Sequence, residues 1–228
     1  MTNPLPAAAE KRSTVTAMFD RVAPSYDRLN RLISLGQDRR WRRHTIEALA
    51  LPPGLQVLDL ACGTGDLCRE LASVGYRPVG IDLSAGMLGH ARVVAPLVLA
   101  DALSLPVPDA RVDGITCGFA LRNFTDLHAF AAECVRVLRP GGRVAFLDAA
   151  EPTNAIMRFG HTAWFRHAVP RIGGLLGDAA AYRYLPASTA YLPAPAALVD
   201  LFTDAGLTQV RRVTFTGGAV QLITGTLP

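Results

Sequence analysis

A chain of 228 residues that is half hydrophobic and 18% charged, with mean hydropathy +0.24, can bury a core large enough for one α/β domain, which excludes an intrinsically disordered protein. Its four cysteines, Cys62, Cys68, Cys117 and Cys134, form no Cys-x-x-Cys pair and have no histidine at ligand spacing, so no metal is expected and a reducing, cytoplasmic setting is. The net charge of +4 is uneven: Lys11 to Arg43 carries nine basic and three acidic residues, leaving about −2 for the remainder, and a basic block of this kind points to an anionic neighbour.

Residues 1–13 read as a flexible N-terminus and 14–228 as a single domain. Val15, Met18, Phe19, Val22, Tyr26 and Leu29 recur at intervals of three and four, which predicts one amphipathic helix. After a turn at Ser34-Leu35-Gly36, a second helix is expected, capped by Asp38 and turning Trp41, Ile46 and Leu49 inward, with Pro52-Pro53-Gly54 as its stop. Residues 14–50 thus read as an N-terminal helical cap. From Gln56 the pattern changes to short apolar runs near 56–61, 78–82, 97–100, 113–118 and 143–148. Helical stretches at about 66–74, 84–92 and 125–138 separate them, the last closed by Arg139-Pro140-Gly141-Gly142, and this alternation predicts a parallel sheet with crossover helices. Residues 151–193 lack a period and read as a helical insertion that covers the site. A helix near 195–205 and a hairpin around Thr216-Gly217-Gly218 complete the chain. No apolar run approaches the roughly 20 residues that span a bilayer.

The most informative stretch runs from Val57 to Asp66, a strand entering the turn Cys62-Gly63-Thr64-Gly65. In an open parallel sheet such a turn lies where nucleotide-like ligands bind. A dinucleotide fingerprint would place a third glycine where Cys68 stands, and no Gly-Lys-Ser/Thr follows to make a P-loop. Asp59 and Asp66 flank the turn and would repel a diphosphate, but they suit a ligand bearing an ammonium group, such as S-adenosylmethionine. Asp82 ends the second strand, where it can accept from both ribose hydroxyls. Asp101, followed by Ala102, ends the third and can accept from the adenine amino group, and Gly118 at the end of the fourth leaves room for the sulfonium.

These residues, together with Met18-Phe19-Asp20, Tyr26-Asp27, Asn30, Ser34-Leu35-Gly36-Gln37-Asp38, Trp41-Arg42, Asp82-Leu83-Ser84, Met87-Leu88, Leu121-Arg122-Asn123, Tyr182, Tyr184-Leu185, Ser188 and Gly217-Gly218-Ala219-Val220, make the sequence resemble the class I methyltransferases. More narrowly, it is similar to the quinone C-methyltransferases that act on demethylmenaquinone and the ubiquinone precursor. The resemblance covers about residue 14 to the end. It implies a Rossmann-like α/β fold with a mostly parallel seven-stranded sheet, an antiparallel C-terminal strand and extra N-terminal helices. The cofactor set is then Asp59, Ala61, Gly63, Thr64, Gly65, Asp82, Leu83, Met87, Asp101, Ala102 and Gly118, with S-adenosylhomocysteine as product. The chain departs from the family pattern at Ala120, at Ala149-Ala150, and at Gln221-Leu222-Ile223-Thr224-Gly225, where a histidine is usual.

Methylating a ring carbon of a quinol requires its hydroxyl to lose a proton, which calls for a base or a cation beside the phenolate. Arg122, just past the fourth strand, fits that role, with Asn123 orienting it, and the resemblance implies that Tyr26 points at the acceptor. Tyr184, Ser188, Tyr191, Trp164 and Phe165 are further candidates for the acceptor pocket or for core. His90 reads as an outward residue. The arginine-rich segment suits a peripheral contact with anionic lipid. Nucleic acid is not expected, since no Asn/Asp-Pro-Pro-aromatic motif or Pro-Cys nucleophile follows the fourth strand. The expected partner is a small-molecule quinol, and a homodimer is left open. The alternatives are another small phenolic or secondary-metabolite acceptor, or a nicotinamide-nucleotide-binding protein.

Overall fold

Short apolar strands alternating with helical stretches can bury both faces of each strand only between two layers of helices. The computed structural model, which describes residues 5–6, 10–164, 169, 184 and 187–228, has this arrangement. Its strands are β1 (Gln56–Leu60), β2 (Arg77–Asp82), β3 (Leu97–Leu99), β4 (Val112–Gly118), β5 (Leu138–Ala149), β6 (Thr208–Phe215) and β7 (Val220–Thr226). They form one sheet in the order β3-β2-β1-β4-β5-β7-β6, in which β7 alone runs against its neighbours. The helices are α1 (Lys11–Val22), α2 (Tyr26–Ile33), α3 (Asp38–Leu49), α4 (Asp66–Ser73), α5 (Ala85–Gly89), α6 (Leu127–Val137), α7 (Ala155–Ala163) and α8 (Pro195–Asp204).

One face of the sheet packs Phe146 against Phe130 of α6 and Phe202 of α8, with ring centroids 5.1–6.5 Å apart. The other packs Val57, Ala145 and Leu147 against Trp41 and Leu49 of α3 and Leu71 of α4. Strand order reverses between β1 and β4, so their carboxyl ends open a crevice at the topological switch point.

The N-terminal helix is two helices rather than one. Pro24 has no N–H to donate and its ring blocks the preceding turn, so Ala23–Ser25 tighten into a 3-10 turn and α2 restarts at Tyr26. Asp38 is not the cap of α3, which Gln37 precedes without a side-chain bond. Its buried carboxylate instead accepts from Ser34 Oγ at 2.9 Å and pairs with Arg42. The segment Arg139–Gly142 ends α6 but does not leave the sheet: it forms a bulge inside β5, between the pairs Val112–Leu138 and Gly114–Arg143. The helix expected over 84–92 shrinks to α5, begun by Ser84, whose hydroxyl accepts from Met87 N–H. Trp41, Ile46 and Leu49 do turn inward, and His90 is exposed. Phe165, Tyr182 and Leu185 lie outside the described residues, as does part of the 151–193 insertion.

Candidate active site

Three hollows meet at the carboxyl ends of the strands. The first, with a volume of about 110 Å³, lies between the strand ends and α1; Gly63, Asp82, Asp101 and Gly118 line its sheet side and Arg12 and Phe19 its helical side. Ala61, Leu83, Met87 and Ala102 complete its wall. Asp82 ties two loops together here, accepting from Gly63 N–H at 2.7 Å and from Ser84 N–H at 2.8 Å. Burial pushes the Asp82 carboxyl above its ordinary value, against the pull of these backbone donors. Asp101 accepts from Leu103 N–H and pairs with Arg12 at 2.8 Å. Two further carboxylates fasten the N-terminal helices across the hollow. Asp20 accepts from Ser84 Oγ at 2.5 Å and Gly86 N–H at 2.9 Å, and Asp27 accepts from Thr64 Oγ1 at 2.5 Å.

The smallest hollow, about 40 Å³, is lined by Asp59, Thr64, Asn30 and Arg42. Asp59 is 1% exposed and accepts from Thr116 Oγ1 at 2.9 Å. Burial raises its pKa to about 7, more than Thr116 and Cys68 pull it down. Asp66, counted in the sequence as part of a negative cradle, is neutralised by Arg42 and Arg69. Gly65 faces none of the hollows; its φ of +82° starts α4, and a Cβ there would meet Val93 at 2.7 Å. The negative character therefore rests on Asp59 and Asp82, neither of which pairs with a cation among the described residues. The two adjoining hollows, with Asp82 and Asp101 in the first and Asp59 in the smallest, together fit a nucleoside with hydroxyls and an ammonium group, and would repel a diphosphate.

The largest hollow, about 430 Å³, is a largely apolar cavity walled by Met18, Val22, Leu29, Ile33, Trp41 and Trp164, with Arg122 among its few polar residues. Arg122 follows β4 in a 3-10 turn and is 6% exposed. Its guanidinium pairs with Asp148, at the end of β5, and its Nε donates to Ser188 Oγ at 3.1 Å. Asp148 also accepts the backbone N–H of Arg122 at 3.1 Å. Asn123, expected to orient Arg122, makes no such contact among the described residues. It lines the first hollow, and its Oδ1 accepts from the hydroxyl of Tyr184 at 3.0 Å. Tyr184 packs on Val15, Met18 and Val22, and Tyr191 donates to Pro6 O, so neither lines the cavity.

Among the described residues, only Tyr26 and Phe119 line all three hollows, which makes them the junction between the acidic and apolar sides. Burial pushes the Tyr26 hydroxyl up to about 12, although Arg122 pulls it down. Phe119 and Ala61, each one residue past its strand, have φ of 61° and 52°, a left-handed conformation that side chains rarely adopt and that is concentrated at functional sites. Sequence reasoning missed Phe119 and Asp148 as site residues, whereas Ser188, read as a candidate for the acceptor pocket or for core, is buried and accepts from Arg122 Nε. Asp148 carried the same signal as Asp82 and Asp101, an acid at a strand's carboxyl end.

The profile of the ubiE/COQ5 methyltransferase family matches residues 7–226. The chain belongs to this family. It is 41% identical over 235 residues to the demethylmenaquinone methyltransferase of Roseiflexus castenholzii, covering 98% of each chain. It is 40% identical over 220 residues to the ubiquinone/menaquinone biosynthesis C-methyltransferase UbiE of Syntrophotalea carbinolica, covering 91% of this chain and 92% of that one. Among solved structures it resembles a SAM-dependent methyltransferase of Thermotoga maritima, with TM-score 0.65 and 18% identity over 93% of this chain and 99% of that one. A second, from Aquifex aeolicus, has TM-score 0.60 and 17% identity over 82% and 89%. These two share the class I methyltransferase fold. As a member of the ubiE/COQ5 family the protein is a methyltransferase that uses S-adenosylmethionine, which sets aside the nicotinamide alternative.

Proposed function

We propose that the protein methylates a ring carbon of a prenylated quinol, with conversion of demethylmenaquinol to menaquinol as its reaction. The observation that carries this reading is the joining, through Tyr26 and Phe119, of a hollow that carries Asp82 and Asp101 to an apolar cavity about four times larger. A flat, tailed, apolar acceptor suits the second and S-adenosylmethionine the first. The choice of quinol is supported by what the relatives are named for. When bound, S-adenosylmethionine supplies an electrophilic methyl on its sulfonium.

In this reading Asp82 would accept from the ribose hydroxyls, Asp101 and Ala102 would hold the adenine, and Leu83 and Met87 would supply apolar wall beside it. Asp59, Ala61, Gly63 and Thr64 would hold the amino-acid end; Gly65 acts only through the turn it shapes, and Gly118 lines the wall beside them, where a Cβ would meet Leu67 at 2.8 Å. Arg122 faces the quinol hydroxyl. Its charge lowers the pKa of that hydroxyl, and its donors not used by Asp148 and Ser188 steady the oxyanion and the water that takes the proton. Tyr26 presses the acceptor towards the donor, so that much of the rate comes from alignment. Asn123 acts at one remove, by anchoring Tyr184 beside α1. Residues 14–50 serve as a helical cap and 151–193 as a covering insertion of one domain spanning 14–228. The protein works in the cytoplasm with a peripheral contact to the membrane surface that holds its acceptor.

The test is incubation of the purified protein with labelled S-adenosylmethionine and a reduced, short-tailed demethylmenaquinone. A product one methyl heavier is expected. Methylation of simple phenols but of no quinol would move the acceptor to another class, and no product under reducing conditions would reject the reading.

A further inference from the structure

We infer that the mouth of the apolar cavity is a docking face for an anionic lipid bilayer. Helix α2 and the turn after it have two unlike faces. Leu29, Asn30 and Ile33 line the cavity, while Arg28, Arg31 and Leu32, spaced i, i+3 and i+4, do not line it and are exposed, and Leu35 in the turn is exposed at the cavity's edge. Across the opening, α7 leaves Ile156 81% and Phe159 78% exposed, with Arg158 between them. The two segments belong to one rim: Leu35, Ile156 and Met157 all line the cavity, and Trp164 Nε1 donates to Ile33 O at 3.2 Å. Five of the nine large exposed hydrophobics among the described residues fall on these two short segments. Soluble surfaces rarely gather apolar side chains in this way unless something covers them.

Charge selects what covers them. Arg28 and Arg31, beside Leu32 and Leu35, pair with no acid among the described residues, and the next acid in sequence, Asp38, is buried against Arg42. Apolar side chains amid unpaired arginines match an interface of acyl chains and anionic headgroups. A protein partner seated here would seal the opening, whereas a bilayer would supply the cavity with a tailed acceptor directly. That last point rests on the quinol reading; the docking itself requires no substrate.

The experiment is co-sedimentation of the full chain with vesicles of phosphatidylglycerol or of phosphatidylcholine. Binding to the anionic vesicles is expected, weakened by high salt. A loss of about tenfold is expected for Leu32→Glu/Phe159→Glu and for Arg28→Glu/Arg31→Glu. All four positions are exposed, so folding is spared. Leu32 and Phe159 do not line the cavity, so their double variant should methylate a tail-less quinol in solution within about twofold of wild type. Wild type that ignores anionic vesicles, or variants that bind as wild type does, would overturn the docking face. So would a dimer in sedimentation velocity that these substitutions split while no vesicle binding occurs. Vesicle binding that the variants lose, in a protein that methylates no quinol, would uphold the docking face and reject the quinol reading instead.

Discussion

The polar hollow and the apolar cavity are neighbours built by opposite means. Around the first and the small hollow beside it, Asp59, Gly63, Asp82, Asp101 and Gly118 all lie within a few residues of a strand's carboxyl end. The sheet positions them and short hydrogen bonds such as Asp82 to Gly63 N–H lock them. The second is walled by α1, α2, α3, α7 and the turn after β4, with one buried ion pair, Arg122 with Asp148, as its main polar anchor. Polar binding on strand ends is rigid and spread over many weak bonds. The apolar side concentrates its polar energetics in that single pair, so the two sides should fail differently when cut.

The largest expected effect is on the apolar side. Asp148→Ala leaves the Arg122 guanidinium buried without its counter-charge, and should cost about 3–5 kcal/mol in urea denaturation. Arg122→Lys keeps the charge but not the fork that Asp148 and Ser188 grip. It should lower kcat by about a hundredfold while calorimetry finds affinity for S-adenosylhomocysteine unchanged. Loss of both together would make Arg122 a structural residue.

On the polar side the largest effect is one of pH. The Asp59 carboxyl, near 7 in the folded chain against 3.8 ordinarily, favours the folded state when protonated. That contribution is complete below about pH 4 and is lost as the pH rises through about 7, a change on the order of 4 kcal/mol. Asp59→Asn removes it, so the variant's Tm should fall less than that of wild type between about pH 5 and pH 8. In wild type, cofactor affinity should rise over the same interval as the carboxylate forms to meet the ammonium, and the variant should be flat. A wild-type affinity independent of pH would remove Asp59 from the amino-acid end.

Smaller effects follow. Asp82→Ala should weaken cofactor binding by about 1–3 kcal/mol, the loss of hydrogen bonds to a charged group, and unchanged affinity in calorimetry would take it out of the site. Arg12 is exposed where it pairs with Asp101, so Arg12→Ala should shift stability by less than about 1 kcal/mol in thermal melts. If it shifts more, the first hollow depends on its helical roof as strongly as on its strand ends.

Much of the fold was legible because its signals are local. The run Val57–Leu60, the glycine turn and the hairpin at Thr216-Gly217-Gly218 each declare themselves within about ten residues. Where reading failed, a local rule was outweighed by a distant partner. Asp38 has the chemistry of a cap but is drawn inward by Arg42, and Asp66 looks like free negative charge until Arg42 and Arg69 arrive beside it. Asn123 follows Arg122 directly in the chain, yet its side chain answers to Tyr184.

What the sequence determined by itself was the parallel sheet, the acidic strand ends and hence a cationic nucleoside as cofactor, since each depends on residues near one another and on the sign of their charge. Only the tertiary structure decided the apolar cavity, the grip of Asp148 and Ser188 on Arg122, and the place of Tyr26 and Phe119 where the hollows adjoin. Those contacts join segments far apart in the chain, and burial, which sets both their strength and the titration of Asp59 and Tyr26, is a property of all the surrounding atoms together.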